Sequence, residues 1–437
     1  TQQRYALRMA YENKVSILTG GPGTGKTTTI RTLLHVLTHN HVSFAMAAPT
    51  GRAARRMTEA TGHAAKTLHR LLEYLPNANS FARNEERPLE VDFIIVDEVS
   101  MIDLILMYNL LKALPDHAHL LLVGDADQLP SVGAGNVLHD LLASEAIPVT
   151  HLTELFRQAA ASRIIVTAHG VRDGILPDLR PDPTSDFFFM PARTPEEAAR
   201  LTTDLVLRRL PAKYGFDPTR DLQVLAPMYK GPAGVSALND ALQRGIRGGA
   251  EGVTAGARVF HVGDKVMQLK NDYDKNVFNG DVGILVVIDP QDGLAVVQYG
   301  DVAVTYAFHE LDALALAYAV SIHRAQGSEY PAVVLPLVMQ HALLLQRNLL
   351  YTAITRAKRL CIIVGEERAL RYAIYNDEVA TRNTALADRL RDAPPLPADV
   401  APDLAEVTPS AAPPLQRAPD LHRPDAGKRT RPRLGEE

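Results

Sequence analysis

The chain has 437 residues, too many for one hydrophobic core, so two or more domains are expected. Its hydrophobic fraction of 46% is that of a globular protein, and no apolar run approaches the roughly 20 residues of a membrane span, which argues against a membrane protein. The net charge of −4 excludes a polycation, so a nucleic-acid partner would need basic residues gathered in a groove. A single cysteine, Cys361, excludes a disulfide framework and a cysteine metal site and favours a reducing, cytoplasmic setting.

The stretch Gly20–Thr27 has the spacing G-x-x-x-x-G-K-T. A short apolar strand, Val15–Thr19, is predicted before it and a helix, Lys26–Leu37, after it, which is the context of a phosphate-binding P-loop. The glycines let backbone N–H groups point at one anion, and the helix N-terminus adds partial positive charge. We expect Lys26 to reach the outer phosphates and the Thr27 hydroxyl to bind Mg²⁺. A chance glycine-rich turn is the weaker alternative.

Residues 1–175 alternate apolar strands with helical segments, which predicts a parallel sheet covered by helices. The predicted strands are Val15–Thr19, Ser43–Ala48, Phe93–Val96, Leu120–Val123 and Pro148–Leu152. A turn-like, charged stretch from Leu75 to Val91 interrupts the alternation, and it could be a plain loop or a small protruding hairpin.

Polar side chains follow two of these strands. Asp97 could hold Mg²⁺ beside Thr27, and Glu98 could activate a water against the γ-phosphate, whereas a charged pair that caps a strand is the alternative. Gln128, in the loop after Leu120–Val123, could sense the γ-phosphate, whereas a structural loop is the alternative.

A second α/β unit follows residues 176–200, which look irregular because they are rich in proline. Its predicted strands are Leu222–Ala226, Ala332–Leu337 and Leu360–Val364. Between the first two of them, hairpin turns separate the short strands Lys265–Leu269, Val282–Ile288, Leu294–Tyr299 and Val302–Ala307. This pattern of short strands and hairpin turns, over about 252–311, predicts a small β-barrel inserted in the second unit.

Arg157 and Arg356 could neutralise the charge that builds on a transferred phosphoryl group, although each alone is a weak signal because arginine is normally a surface residue. The polar loop Ser321–Glu329 could touch both nucleotide and a polyanion, whereas a packed or solvated His323 is the alternative. Residues 393–437 are proline-rich and lack apolar periodicity, which predicts a disordered tail. The basic residues at its end could simply be solvated, or they could make a weak contact with a nucleic-acid phosphate backbone.

Taken in order, these motifs resemble those of superfamily 1 DNA helicases, and most closely the stand-alone bacterial members of the RecD-like branch. The resemblance covers about residues 1–390. The motifs are Gln3, the P-loop, Ala48–Ala54, Thr67–Arg70, Asp97–Ser100, Gly124–Gln128, Phe156–Gln158, His323–Glu329 and Tyr351–Arg356.

The resemblance implies an α/β fold with two RecA-like motor domains, parallel sheets and ATP in the cleft between them. The implied domains are 1–175 (domain 1A, with a pin-like insertion at 74–91), 176–251 with 312–392 (domain 2A), the SH3-like β-barrel 252–311, and the tail 393–437. It further implies an ATP-dependent helicase, with Mg²⁺, that moves 5′ to 3′ on single-stranded DNA, unwinds duplex at single–double-strand junctions, and serves DNA repair or recombination.

Residue roles follow from the same resemblance. The expected catalytic residues are Lys26, Glu98, Gln128, Arg157 and Arg356. The expected nucleotide ligands are Gln3, Gly21, Gly23, Thr24, Gly25, Lys26, Thr27, Thr28 and Glu329, with Thr27 and Asp97 for the metal. The segments expected to face single-stranded DNA contain Pro49, Thr50, Gly51, His69 and His323.

Two departures from the family leave alternatives open. Stand-alone relatives carry a sizeable region before the glutamine motif, whereas this chain starts at that motif, polar and without Met, as a processed or partial chain would. The chain could therefore be a translocase motor of a larger nuclease or relaxase machine, with protein partners bound through the missing region or the tail. The expected pin has one aromatic, Phe81. A DNA-binding scaffold with a dead nucleotide site is the least favoured reading, because the phosphate-site residues are intact.

Overall fold

The computed structural model describes residues 1–156, 160–248, 252–256, 258–378, 382 and 384–392. Arg157 and the proline-rich segment 393–437 lie outside the described residues. No helix of the described part is both long and apolar enough to cross a bilayer.

In chain order, the strands of the described residues are β1 Val15–Gly20, β2 Phe44–Ala48, β3 Ala65–Thr67, β4 Tyr74–Leu75, β5 Ser80–Phe81, β6 Phe93–Val96, β7 His119–Gly124, β8 Val149–Leu152, β9 Phe187–Pro191, β10 Leu222–Ala226, β11 Gly252–Ala255, β12 Arg258–His261, β13 Lys265–Gln268, β14 Val282–Asp289, β15 Leu294–Tyr299, β16 Val302–Ala307, β17 Leu314–Leu316, β18 Ala319–Ser321, β19 Tyr330–Leu337 and β20 Ala357–Gly365. The α-helices are Gln2–Glu12, Lys26–His39, Gly51–Thr61, Leu68–Leu71, Leu104–Lys112, Val137–Ser144, Arg163–Arg172, Pro195–Asp204, Leu210–Tyr214, Val235–Arg247, Arg347–Ile354, Glu367–Tyr375 and Leu386–Arg391.

The first sheet is parallel, and its strands within the described residues lie in the order β3-β2-β6-β7-β1-β8. Its inner strands are buried apolar runs, as expected of a sheet covered by helices on both faces. We call this sheet with its flanking helices lobe 1. The P-loop follows β1 and the Asp97–Glu98 pair follows β6, so both lie at the carboxyl edge, where parallel sheets bind ligands.

The second sheet is also parallel, in the order β18-β10-β19-β20-β9, and with its helices it forms lobe 2. The expectation that residues 176–200 are irregular holds for 176–186, which contain no helix or strand, and is wrong for the remainder. Phe187–Pro191 is an edge strand, and a helix begins at Pro195, where Thr194 Oγ1 accepts a hydrogen bond from Glu197 N at 3.2 Å. Proline is tolerated at the sheet edge and at the first helical position, so these prolines do not break either element.

The helix Arg163–Arg172 packs with lobe 2. Its buried Ile164, Ala168 and Val171 join the core formed by β19, β20 and the helix Arg347–Ile354. The boundary proposed at residue 175 therefore lies after a helix whose buried face belongs to the second core.

An antiparallel insertion interrupts lobe 2. Its sheet has the order β16-β15-β14-β13-β17, and the hairpin β11–β12 lies beside it. The sheet has its own core, which contains Leu285, Val297 and Tyr306. Leu314–Leu316 pairs with β13, so the sheet extends past residue 311, where the expected insertion ends.

The stretch after β3 contains a hairpin. β4 and β5 pair antiparallel, with Tyr74 opposite Phe81 and their ring centroids 5.1 Å apart. Of the two readings left open by the sequence, the structure has the hairpin. The expectation of a single aromatic was incomplete, because Tyr74 supplies a second ring from the preceding strand.

Candidate active site

The P-loop curls tightly between β1 and the helix Lys26–His39. Gly25, the residue before this helix, has φ of 92°, in the left-handed region that favours glycine. A Cβ at Gly25 would lie 2.5 Å from Gln3 Nε2 and from Phe156 Cε2, so a larger residue would displace both side chains. Lys26 Nζ donates to the carbonyl oxygens of Gly20 and Gly21, the latter at 3.1 Å, which holds the ammonium over the loop.

Two further side chains lie at the mouth of the loop. The Gln3 amide nitrogen is buried and makes no hydrogen bond, so it is a donor without an acceptor beside the loop. The Phe156 ring is 49% exposed and lines the same space. Phe156 was not among the predicted site residues, although it directly precedes Arg157, a predicted catalytic residue.

The Asp97–Glu98 pair closes the opposite wall. Asp97 Oδ1 accepts a hydrogen bond from Glu98 N at 2.8 Å, and Glu98 has φ of 56°, an unusual left-handed conformation for a glutamate. Glu98 is 5% exposed and its Oε1 lies 2.8 Å from Arg56 Nη2.

The two carboxylates differ in proton affinity. Burial and the neighbouring Glu98 raise the pKa of Asp97. Burial alone would raise the pKa of Glu98 too, but Arg56, then Arg356 and Lys26, lower it below its usual value. Glu98 is therefore the carboxylate held in its charged form.

These groups share one cavity of about 330 Å³ between the lobes. Lobe 1 contributes the P-loop, Asp97, Glu98 and Gln128, and lobe 2 contributes Glu329, Thr355 and Arg356. From the P-loop and the start of its helix, the lining residues are Gly21, Gly23, Gly25, Lys26, Thr27 and Thr28. Arg56 and Phe156 line the cavity as well. Thr24 lies below this surface, where its hydroxyl donates to Gly21 O at 2.8 Å.

Arg356 crosses from lobe 2 to lobe 1. Its Nη2 donates to Gln128 Oε1 at 2.8 Å, while Nη1 and Nε donate to the carbonyl oxygens of Ser328 and Thr352 at 3.2 and 3.0 Å. Arg356 is 2% exposed, so the guanidinium is held rigidly in place. The structure thus brings two predicted γ-phosphate residues into direct contact, while Arg157 stays a prediction.

Further inter-lobe bonds surround this contact. Tyr351 OH of lobe 2 donates to Asp125 Oδ2 of lobe 1 at 2.8 Å, and within lobe 1 Gln128 Nε2 donates to the same oxygen at 3.0 Å. Gln326 Nε2 donates to Leu129 O at 2.8 Å. The loop that carries Gln128 is therefore bonded to lobe 2 on both sides.

Glu329 pairs with cations of both lobes: its Oε1 lies 2.9 Å from Arg56 Nη1, and its Oε2 lies 3.1 Å from Lys358 Nζ. Sequence reasoning missed Arg56. The one available signal was its place within the helix that follows Thr50-Gly51.

The predicted DNA segments lie on other elements. Pro49 and Thr50 follow β2, and Thr50 Oγ1 caps the helix Gly51–Thr61 by accepting from Ala53 N at 3.3 Å. A Cβ on Gly51 would lie 3.3 Å from Asp281 Oδ1 of the insertion, and one on Gly327 of lobe 2 would lie 3.0 Å from Thr50 Oγ1. Lobe 1, lobe 2 and the insertion therefore meet at this segment.

The two predicted histidines are apart from the cavity lining. The His69 ring centroid lies 5.4 Å from that of Tyr74 and 5.7 Å from that of Phe81, so His69 contacts the hairpin, and burial lowers its pKa. His323 is exposed and begins the short 3-10 helix His323–Ala325 after β18.

Three family models match the chain. The model of an AAA domain matches residues 3–134, that of the SH3 domain of ATP-dependent RecD-like DNA helicases matches residues 238–299, and that of the UvrD-like helicase C-terminal domain matches residues 316–364.

Two curated relatives align over most of the chain. It is 40% identical over 393 residues to the ATP-dependent RecD2 DNA helicase of Deinococcus radiodurans, covering 89% of this chain and 52% of that protein. It is 35% identical over 425 residues to the RecBCD enzyme subunit RecD of Mycolicibacterium smegmatis, covering 90% and 75%. The chain thus spans about half the length of the first relative.

Solved structures of similar fold include the Pif1 helicase from Candida albicans, with a TM-score of 0.53, 21% identity, and coverage of 86% of this chain and 97% of that one. Another is the Pif1 helicase from Bacteroides in complex with ADP-AlF3 and ssDNA, with a TM-score of 0.52, 20% identity, and coverage of 86% and 94%. These likenesses and the SH3 match confirm the predicted α/β fold of two RecA-like domains with an SH3-like insertion.

Proposed function

The chain belongs to the RecD-like DNA helicases, and from that premise we propose that it is an ATP-dependent helicase that moves 5′ to 3′ on single-stranded DNA and unwinds duplex. The observation that carries this proposal is the inter-lobe cavity, in which the P-loop and Glu98 of lobe 1 face Arg356 of lobe 2. A nucleotide bound there contacts both lobes, so its turnover can change their separation.

The residues present fit Mg-ATP. Lys26 and the N–H groups of the P-loop suit the phosphates, and the unpartnered Gln3 amide suits an adenine acceptor. The Thr27 hydroxyl and the Asp97 carboxylate are hard oxygen donors of the kind that Mg²⁺ prefers. When bound there, Mg²⁺ would neutralise charge on the phosphate oxygens.

Hydrolysis would then depend on a few side chains. Glu98 is the proposed general base, because it is buried, charged and at the cavity wall. Arg356, with Gln128, would stabilise negative charge at the γ-phosphate from the lobe 2 side. Since residues of both lobes line the cavity and would contact a bound γ-phosphate, its loss would weaken the attraction between the lobes.

The proposed DNA path runs along Pro49, Thr50, Gly51, His69 and His323. Contacts to DNA phosphates and to the faces of stacked bases do not depend on the base sequence, which suits a motor that moves along any strand. The paired rings of Tyr74 and Phe81, on a hairpin beside His69, are the proposed pin that separates strands at a single–double-strand junction.

A second candidate is a translocase motor that acts within a larger nuclease complex without unwinding of its own. The relative named as a RecBCD enzyme subunit, aligned over 75% of its length, favours this role. Under either role, protein partners and a cytoplasmic location are part of the proposal, the latter from the single buried cysteine.

Steady-state ATPase with and without single-stranded DNA tests the proposal. We expect Mg²⁺-dependent hydrolysis that DNA stimulates by at least about tenfold, since the DNA path and the cavity share elements. Lys26→Ala and Glu98→Gln should abolish hydrolysis and retain DNA binding. An ATPase indifferent to DNA would refute it.

A further inference from the structure

Arg56 joins three elements through one side chain. It lies on the helix Gly51–Thr61, its Nη2 is 2.8 Å from Glu98 Oε1, and its Nη1 is 2.9 Å from Glu329 Oε1. One guanidinium therefore bridges the proposed general base of lobe 1 and a carboxylate of lobe 2.

This bridge lies in a more shielded place than a surface ion pair. The Glu98 side chain is 7% exposed and that of Arg56 is 29% exposed, so the pair is partly shielded from solvent. Charge-assisted hydrogen bonds in such a setting are short and about twice as strong as neutral ones. The guanidinium occupies Glu98 Oε1, so this oxygen must leave the ion pair before it can approach the attacking water, and the pairing opposes base catalysis.

The same helix carries the proposed DNA segment at its N-terminus. Arg56 lies five positions after Gly51, which is about 7.5 Å along a helix. Arg52, on the first turn, also reaches lobe 2, because its Nη1 donates to Ser328 Oγ at 2.8 Å and to Tyr330 OH at 2.9 Å. A rigid helix thus links the DNA segment, the general base and the lobe interface.

We propose that Arg56 is a positioning residue that couples DNA occupancy to hydrolysis, a step that rests on the proposed function above. Without DNA, Arg56 holds the Glu98 carboxylate in the ion pair and away from the attacking water. When a DNA strand binds at Thr50 and Gly51, the helix shifts, and Arg56 releases Glu98 to accept the proton of that water. Arg56 thereby keeps ATP turnover low when there is no strand to move along.

The test compares ATP turnover, with and without single-stranded DNA, in the wild type, Arg56→Gln, Arg56→Lys and Lys358→Gln. For Arg56→Gln we expect the DNA-free kcat to rise by about fivefold or more, with little change in the KM for ATP, and the stimulation by DNA to fall by a similar factor. Arg56→Lys keeps a cation and should retain part of the suppression.

Lys358→Gln is the matched control, because Lys358 pairs with Glu329 at 3.1 Å and has no contact with Glu98 among the described residues. Its DNA-free rate should stay within about twofold of the wild type. Thermal unfolding of each variant reports whether it is folded.

A folded Arg56→Gln protein whose ATP turnover is stimulated by DNA as strongly as that of the wild type overturns the inference. An equal fall of the turnover with DNA and without DNA also overturns it, because the arginine would then serve ATP binding or catalysis directly. These outcomes leave the proposed function intact when the wild type is stimulated by DNA. A wild type that ignores DNA overturns the proposed function and the inference together.

Discussion

Replacement of Arg356 by glutamine tests the inter-lobe contact most specifically. The wild-type guanidinium is 2% exposed and donates to Gln128 Oε1, Ser328 O and Thr352 O at 2.8, 3.2 and 3.0 Å. Glutamine removes the charge and cannot reach all three acceptors. An arginine that stabilises phosphoryl transfer is worth about 10³ to 10⁵ in kcat, or roughly 4 to 7 kcal/mol.

We expect the lower end, a fall in kcat of about 10³-fold, because Gln128 and Lys26 remain to contact the phosphates. The KM for ATP should change by less than about tenfold, since the lost interaction acts mainly in the transition state. Arg356→Lys keeps the charge but not the forked geometry, so its kcat should lie between those of glutamine and arginine.

The assay is steady-state ATPase at saturating single-stranded DNA over a range of ATP concentrations, with DNA binding measured by fluorescence anisotropy. Arg359→Gln is the control, because Arg359 lies on the adjoining strand β20 with its guanidinium 5.2 Å from the Phe216 ring centroid, away from the cavity lining. A kcat for Arg356→Gln within about tenfold of the wild type would refute the reasoning, and so would an equal loss in Arg359→Gln.

Three further changes have defined outcomes. Tyr351→Phe removes a buried hydrogen bond to Asp125 and should lower the free energy of unfolding by about 1 to 2 kcal/mol in chemical denaturation, and an unchanged midpoint would contradict this. Lys265 is 4% exposed, and burial, with Arg52 adding, lowers its pKa from 10.5 to about 7. The folded state therefore binds this proton less tightly than the unfolded state, and the resulting penalty, about 5 kcal/mol, is full below pH 7 and fades toward pH 10.5. Methionine also loses the hydrogen bond from Lys265 Nζ to Leu222 O, which costs about 1 to 3 kcal/mol. Lys265→Met should therefore raise the free energy of unfolding by roughly 2 kcal/mol near pH 7 and by less near pH 10, and a gain independent of pH would contradict the cause. Phe81→Ala should abolish strand displacement while ATPase on single-stranded DNA stays within about threefold, and equal loss of both would contradict a pin at the hairpin.

The parts of the fold that sequence could predict are those set by local signals. The P-loop spacing and the buried apolar runs of β1, β6 and β20 are continuous in sequence, so strand and helix were placed to within a few residues. The edge strands Ala65–Thr67 and Phe187–Pro191 were missed because they become strands through pairing with distant neighbours.

The residues of the candidate site also fall into those that local motifs predict and those that only the tertiary structure brings together. Lys26, Asp97 and Glu98 belong to motifs whose spacing is visible in the chain. Arg56 carries no such signal, because its partner Glu329 lies 273 residues away and only the meeting of the two lobes brings them together. Ion pairs between distant segments are set by tertiary structure, so a surface helix position was the natural reading of this arginine.

The central claim is that ATP turnover at the lobe interface moves the protein 5′ to 3′ along a DNA strand. The most direct measurement is strand displacement on two duplexes that differ only in carrying a 5′ or a 3′ single-stranded tail, with Lys26→Ala as the inactive control. The account predicts ATP-dependent displacement of the 5′-tailed duplex and none of the 3′-tailed one. Displacement that requires the 3′ tail, or that survives in Lys26→Ala, would contradict it.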